Sequence, residues 1–389
     1  MISEPLSEFW NLFLKETGQS DSNLSFFNDK ITGQIPKVKI AIDISQIVYG
    51  TGVSTYTENL VKSLLKLDTD DEYILFAGAF RRRGDILGKF PQTKVFPIPP
   101  VAADLIWNKL HVFPIEKLIG NVDVFHTSDW AEPPSSAFKV TTVHDLYALK
   151  YPKMVHPKVL EVHKRKLSWV IRESRRIIVP SNSTKEDLTD LGVDGSIIRI
   201  IPEAPSFSKA SGAEVTSAKK KYRIQGDYLI SIGVTELKNT KRIIEAFHLS
   251  TAGKELKMVL VGRPSETEIK PERNIRILGH VPQDDLRGLL TGSRGLIFAS
   301  LYEGYGIPIL DGFVCGTPVV TSNTSSMPEV AGEAAVLVDP YDAASIADGI
   351  TKILNGPKGF IEKGFARVTE FSWEKTAKMT LAVYKEAAK

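Results

Sequence analysis

An α/β chain with two Rossmann-like, doubly wound domains facing a central cleft is the fold class this sequence predicts. Three observations carry the prediction. Short β-branched apolar runs alternate with segments of helical periodicity. That alternation stops in a polar stretch at 205–226 and then starts again. The strand-like runs are near-continuously apolar, as expected of parallel strands covered on both faces.

Residues 1–36 form an extension ahead of the first domain. Leu6, Phe9, Trp10, Phe13 and Leu14 repeat at helical spacing and predict one amphipathic helix. Its polar residues are mostly acidic (Glu4, Glu8 and Glu16 against Lys15), which disfavours anionic lipid and favours packing on the protein's own body. The first domain spans 37–204. KVKIAIDI opens it as a strand, YGTGVS follows as a loop, and Tyr56, Leu60, Val61 and Leu64 mark a helix. YILFA, VDVFH, KVTTVHD and RIIVP are further strands. Residues 205–225 read as a linker containing a short helix. The second domain, 226–370, repeats the pattern. YLISIG, KMVLVG, NIRILG, GLIFAS, TPVVTS and AAVLVD are its strands, and NTKRIIEAFHLS and DDLRGLLTGS are helices. A closing helix occupies 371–389.

The chain has 389 residues, 42% apolar and 24% charged, with a formal charge of +3. That balance carries no field directed at nucleic acid, which is not an expected partner. Arg81, Arg82 and Arg83 form the notable basic cluster. It reads either as a solvated face or as a contact for lipid headgroups or a phosphate-bearing acceptor. Cys315 is the single cysteine, so no internal disulfide can form, and its apolar setting marks a buried thiol. The N-terminus lacks the basic and apolar regions of a signal peptide, and no apolar run approaches a membrane span; the expected location is the cytoplasm.

SLYEGYGIPILDGFVCGTPVV (300–320) holds the densest chemistry. A buried strand ends in a loop with Glu303, Gly304, Tyr305 and Gly306. A helix then begins near Pro308 and ends at Gly316. Backbone N–H groups at such a helix start suit phosphate or sugar oxygens, and glycines allow close main-chain approach. Glu303 and Asp311 flank this nest as paired carboxylates.

Glu303, seven intervening residues and Asp311, within EGYGIPILDGFVCGTPVVTSNTSSMPEVAGEAAVLVDPYD, resemble the paired-acid signature of the retaining GT-B glycosyltransferases of family 4. The second acid in that family is usually Glu, and here the shorter Asp311 stands in the position that binds the nucleotide ribose. ISIGVTELKNTKRIIEAF is similar to the family segment that supplies basic residues to the donor pyrophosphate. The resemblance places Lys238 there, with Gly233 at the strand end. An arginine common in that loop is missing, so Lys238 acts alone or Arg263 joins it. Val281 is implied at the nucleobase through its backbone. TVHDLYALKYP resembles the segment that brings His144 to the transferred sugar; Asp145 either orients His144 or caps the next turn. Gly52 lies in the loop that faces the diphosphate or acceptor. Tyr305, Gly306 and Ile307 would present helix-terminal amides to the leaving diphosphate.

The resemblance covers residues 37–389. It implies a hexosyltransferase acting on a nucleotide-diphosphate sugar with retention, without a cofactor or metal. The likeness of VHDL and EGYGIPI to bacterial mannosyltransferases of surface-polysaccharide assembly implies GDP-mannose, with UDP-glucose or a UDP-N-acetylhexosamine as the alternative donor. The implied acceptor is a glycan or lipid-linked hydroxyl, met at the membrane surface near Arg81–Arg83. A nucleotide-sugar epimerase and a catalytically silent partner subunit are the rival readings on this fold.

Overall fold

The structure, a computed structural model, describes residues 37–264, 269 and 272–388. The helix expected near Leu6–Leu14 lies outside the described residues.

Two all-parallel sheets organise the chain. The first runs β1 (Lys39–Asp43), β2 (Glu72–Gly78), β3 (Lys94–Phe96), β4 (Val124–Thr127), β5 (Phe138–Thr142), β6 (Arg176–Val179) and β7 (Ile198–Ile200), in the spatial order β3-β2-β1-β4-β5-β6-β7. The second holds β8 (Tyr228–Ile232), β9 (Lys257–Val261), β10 (Ile275–Ile277), β11 (Gly295–Phe298), β12 (Val319–Ser322) and β13 (Ala335–Val338), in the order β10-β9-β8-β11-β12-β13. Every predicted strand is present. Neighbouring residues of one strand serve opposite cores, since side chains alternate across a sheet. In β8, Leu229 packs with Ile243, Phe247 and Ile350, whereas Ile230 packs with Leu289, Leu310 and Phe313.

Helices cover both sheets. α1 (Gly52–Leu64) follows β1; α2 (Pro157–Glu173) and α3 (Asn182–Asp190) flank β6. α4 (Gly212–Lys221) lies in the stretch read as linker, but it is fixed against α6 rather than free. Its Glu214 bonds Arg287, and Ala218 sits where a side chain at Gly288 would collide. α5 (Thr240–Leu249), α6 (Gln283–Thr291), α7 (Ile307–Cys315), α8 (Ala343–Asn355) and α9 (Pro357–Val368) complete the second domain. Cys315 is buried, and burial pushes its thiol up to about 11, which leaves it protonated and inert.

The last helix, α10 (Trp373–Lys385), packs on α1 of the first domain. Trp373 Nε1 donates to Pro205 O at 2.8 Å, and Glu386 pairs with Arg176 and Arg199. Tyr384 is fully buried, with its hydroxyl 2.6 Å from His126 Nδ1. His126 Nε2 meets Thr142 Oγ1 at 2.9 Å. Burial, aided by the charges of His144 and Lys166, holds the His126 ring down at about 3, so it is neutral and spends both nitrogens on these bonds. Tyr384→Phe would leave one nitrogen buried without a partner. We expect a loss of about 1–3 kcal/mol in urea unfolding, with transitions of unchanged steepness.

Candidate functional site

In each sheet the strand order reverses once, between β1 and β4 and between β8 and β11. Open parallel sheets bind ligands outside the carboxyl ends of their strands at such points. The second sheet places Gly233 and Lys238 on one side of its switch point and Glu303 on the other.

Gly233 ends β8 with φ +90°, and a side chain there would strike Lys238, its Cβ coming within 2.5 Å of Lys238 Cγ. Lys238 is thereby laid along bare main chain. Its ammonium reaches Glu303 Oε1 at 2.5 Å and stands 5.2 Å from the Phe298 ring centroid. Asn239 fixes the loop: in the left-handed region at φ 60°, it donates to Ala299 O at 3.0 Å and to Pro340 O at 2.6 Å. Glu303 is held from its backbone. Its N–H donates to Ser325 Oγ at 3.1 Å, and its carbonyl accepts from Ser326 Oγ at 2.9 Å. The ion pair therefore joins two immobilised loops across the switch point.

The residues after Glu303 meet protein where the sequence reading expected a ligand. Gly304 presses on the first domain so closely that a Cβ would lie 1.9 Å from His144 O. Its carbonyl accepts from Ser181 Oγ at 2.6 Å and Thr184 Oγ1 at 3.1 Å. Tyr305 Oη donates to Glu203 O at 2.9 Å, and Tyr302 Oη donates to Asp187 Oδ2 at 2.6 Å. Gly306, at φ +104°, starts α7, leaving the first-turn amides from Ile307 at a helix N-terminus.

Asp311 also departs from its expected place. It is buried, with Oδ1 accepting from Ser206 N at 2.6 Å and Oδ2 from Ser206 Oγ at 3.0 Å. Burial pushes its carboxyl up to about 7 despite those bonds. Both oxygens hold the segment between the domains, so the ribose contact expected of this acid is not prepared here.

On the first domain, His144 follows β5. Its Nδ1 lies 3.2 Å from Glu203 Oε1, and Tyr56 meets the ring edge-on at 4.5 Å. Burial lowers its pKa, but the hydrogen bond and charge of Glu203, with Asp129 and Asp145, outweigh burial and raise it above 6.5. Asp145 accepts from Tyr147 N at 3.0 Å, so it caps the turn, while Glu203 orients the imidazole. Glu203 was missed by sequence reasoning; its signal was a carboxylate in the apolar, proline-flanked run IIPEAP.

At the outer lip the first turn of α1 meets the start of α6. Gln283 Nε2 donates to Thr55 Oγ1 at 2.8 Å. A side chain at Gly52 would meet nothing within 4 Å. Val281 turns its side chain into the core of the second domain, and Arg263 is exposed beyond the end of β9.

The fold agrees with the comparisons to known proteins. The model described as "Glycosyltransferase Family 4" matches residues 50–204, and "Glycosyl transferases group 1" matches 215–364. The chain is 29% identical over 283 residues to the O-antigen chain mannosyltransferase B of Escherichia coli, covering 67% of this chain and 74% of that one. Among solved structures, sucrose-phosphate synthase from Thermosynechococcus elongatus superposes with a TM-score of 0.70 at 17% identity, over 90% of this chain and 99% of that one. Anabaena HepE in complex with UDP and glucose gives 0.64 at 14% identity, over 90% and 98%.

A raised His144 pKa means that the folded state binds this proton more tightly than the unfolded chain. The stability it contributes is present in full below about pH 6.5 and is lost as pH rises through the folded value. Glu203→Gln should lower the melting temperature most at about pH 6, and the two proteins should converge by about pH 9. A constant gap across that range would remove Glu203 as the source of the shift.

Proposed function

The chain belongs to the group 1 glycosyltransferases of family 4, with their two-domain GT-B fold, and from that premise we propose that the sugar it moves is mannose, from GDP-mannose to a hydroxyl of a glycan or lipid-linked acceptor. It is a retaining enzyme that takes a sugar from a nucleotide sugar. The observation that carries the proposed mechanism is the Lys238–Glu303 pair across the second switch point. An ammonium there neutralises the charge that grows on a departing diphosphate, and the first-turn amides of α7 near Gly306 and Ile307 add the positive end of a helix. A diphosphate competes with Glu303 for Lys238. Glu303, released, accepts hydrogen bonds from donor-sugar hydroxyls; it is not assigned as a nucleophile. Acceptor deprotonation falls to the leaving phosphate on the same face. His144, oriented by Glu203 at Nδ1, turns its Nε2 to the transferred sugar. The base stacks beside the backbone of Val281, Arg263 reaches the diphosphate, Gly52 leaves room for it, and Gly233 keeps Lys238 in line. Gly304 and Tyr305 hold the two domains in register, and Asp311 fixes the connecting segment.

The mannosyl donor is supported by the 29% identity to the O-antigen enzyme. UDP-glucose or another UDP-sugar is the alternative. Epimerase and silent-partner readings are separated from transfer by measuring nucleotide released in the presence of acceptor.

A membrane face fits the lipid-linked acceptor. Phe80 follows β2 and Val101 follows the neighbouring β3, both strongly exposed at 64% and 82%. Leu105, Leu110, Val112 and Phe113 are further exposed apolar side chains in the segment after Val101, and Arg81, Lys109 and Lys117 are exposed cations. Arg82 pairs with Asp85, and Arg83 donates to Val95 O, so the basic cluster contributes less free charge than its sequence suggests. Among the described residues no helix is long and apolar enough to cross a membrane.

Titration with GDP, UDP and ADP should raise the melting temperature with GDP alone, by an amount equivalent to about 2.7 kcal/mol at a hundred times the dissociation constant. A rise with UDP alone would replace the donor. Lys238→Ala should cost about 100- to 1,000-fold in kcat. Gly52→Ala tests the loop separately. With open space around it at the first position of a helix, the change should leave stability equal or slightly higher while slowing transfer.

A further inference from the structure

The N-terminus of α3 meets the second domain at two points. At the first, Ser181 and Thr184 donate to the Gly304 carbonyl, one peptide beyond Glu303. The second is Asn182, the first residue of α3. Its N–H donates to Glu329, 3.0 Å from each carboxylate oxygen, and its Nδ2 donates to Glu329 Oε1 at 3.3 Å. The Ser183 N–H adds a further bond. A carboxylate at this place also meets the positive end of the helix.

Glu329 belongs to a short helix, Met327–Ala331, that is firmly held. Met327, Val330 and Ala331 are fully buried in the core of the second domain, and Arg367 donates to the carbonyls of Glu329 at 2.7 Å and Val330 at 3.2 Å. The two residues just before this helix are the ones that fix Glu303. Ser325 Oγ accepts from Glu303 N, and Ser326 Oγ donates to the carbonyls of Glu303 at 2.9 Å and Tyr305 at 2.8 Å. Ser325 does so at φ +49°, in the left-handed region, which a residue with a side chain occupies at a cost and keeps only where its surroundings impose it. The contacts close a ring through both domains. It runs from Glu303 and Gly304 to α3, from α3 to Glu329, and from Glu329 through Ser325 and Ser326 back to Glu303.

We infer that Glu329 is a positioning residue for transfer: by closing this ring on Asn182, it makes the placement of the Glu303 carboxylate depend on the two domains having met. When they part, the Asn182 amide and the Glu329 carboxylate pass to water. Ser325 then loses part of what keeps it left-handed, and Glu303 loses its fixed place. Glu329 acts through the two serines and not on the sugar. The role rests on the reading of Glu303 as the group that holds the donor sugar.

Two measurements on the same samples test it: hydrogen exchange by mass spectrometry over residues 300–306, and nucleotide release from GDP-mannose and from UDP-glucose. Glu329→Ala should speed exchange at the Glu303 amide, which Ser325 protects. It should also lower kcat about ten- to a hundredfold with KM for the donor unchanged, as a misplaced group does. Glu329→Gln, whose amide oxygen still accepts from Asn182, should recover most of the rate. Asn182→Pro removes two of the three donors and suits the first position of a helix, where the extended Ser181 accommodates it. It should reproduce most of the effect, and the double variant should be no slower than Glu329→Ala alone. Asn182→Pro also carries the test if Glu329→Ala fails to fold. Wild-type turnover in both single variants, additive losses in the double variant, or unchanged exchange at Glu303 would overturn the role. No nucleotide released from either donor by the wild type, with exchange at Glu303 still responding to Glu329→Ala, would instead remove the donor reading and leave the coupling standing.

Discussion

Everything at the cleft depends on how closely the Gly304 main chain approaches the His144 carbonyl. No side chain fits between them, since even a methyl carbon would lie 1.9 Å from that oxygen. The contact brings the carboxyl end of β11 to the carboxyl end of β5, and Ser181 and Thr184 seal it by donating to the Gly304 carbonyl. Tyr302 and Tyr305, on either side, anchor into Asp187 and Glu203 O. Glu303 is the one side chain in this row left to face Lys238. A ligand-binding carboxylate is thus positioned by neighbours whose work is to join domains.

Charge is managed around that contact by pairing and by burial. Glu203 has two uses: its carboxylate bonds His144 Nδ1 and raises the ring's pKa against burial, and its carbonyl accepts from Tyr305 Oη. Asp145, pushed up to about 6 by burial, has its backbone bond to Tyr147 to offset part of the cost. Asp311 is pushed further, to about 7, and among the described residues only Ser206 offsets that burial, its N–H and hydroxyl both favouring the ionised form.

The sheets were legible because central parallel strands are apolar on both faces, and runs such as KIAID and KMVLV have no other common use. β3 and β7 were not: each is a three-residue edge strand, too short for a period and too polar on its open side. α2, with its lysines and histidine, hid because its apolar stripe is narrow and its Lys166 points inward. At the site, Lys238, Glu303 and His144 could be read from local wording, since each sits on a strand-to-helix loop. Glu203, Ser206 and Asp187 could not. Their roles come from the way distant segments meet; of the three only Glu203 left a local trace, as a carboxylate in an apolar, proline-flanked run. Asp311 is the instructive case: its spacing from Glu303 suggested a shared ligand, but both its oxygens bond Ser206 in the connecting segment.

The second switch point carries its charges already paired: the Lys238 ammonium and the Glu303 carboxylate satisfy each other at 2.5 Å. On the proposed reading, an arriving diphosphate exchanges one anionic partner of Lys238 for another, so no charge is stranded at any stage, and the carboxylate it displaces lies beside the sugar.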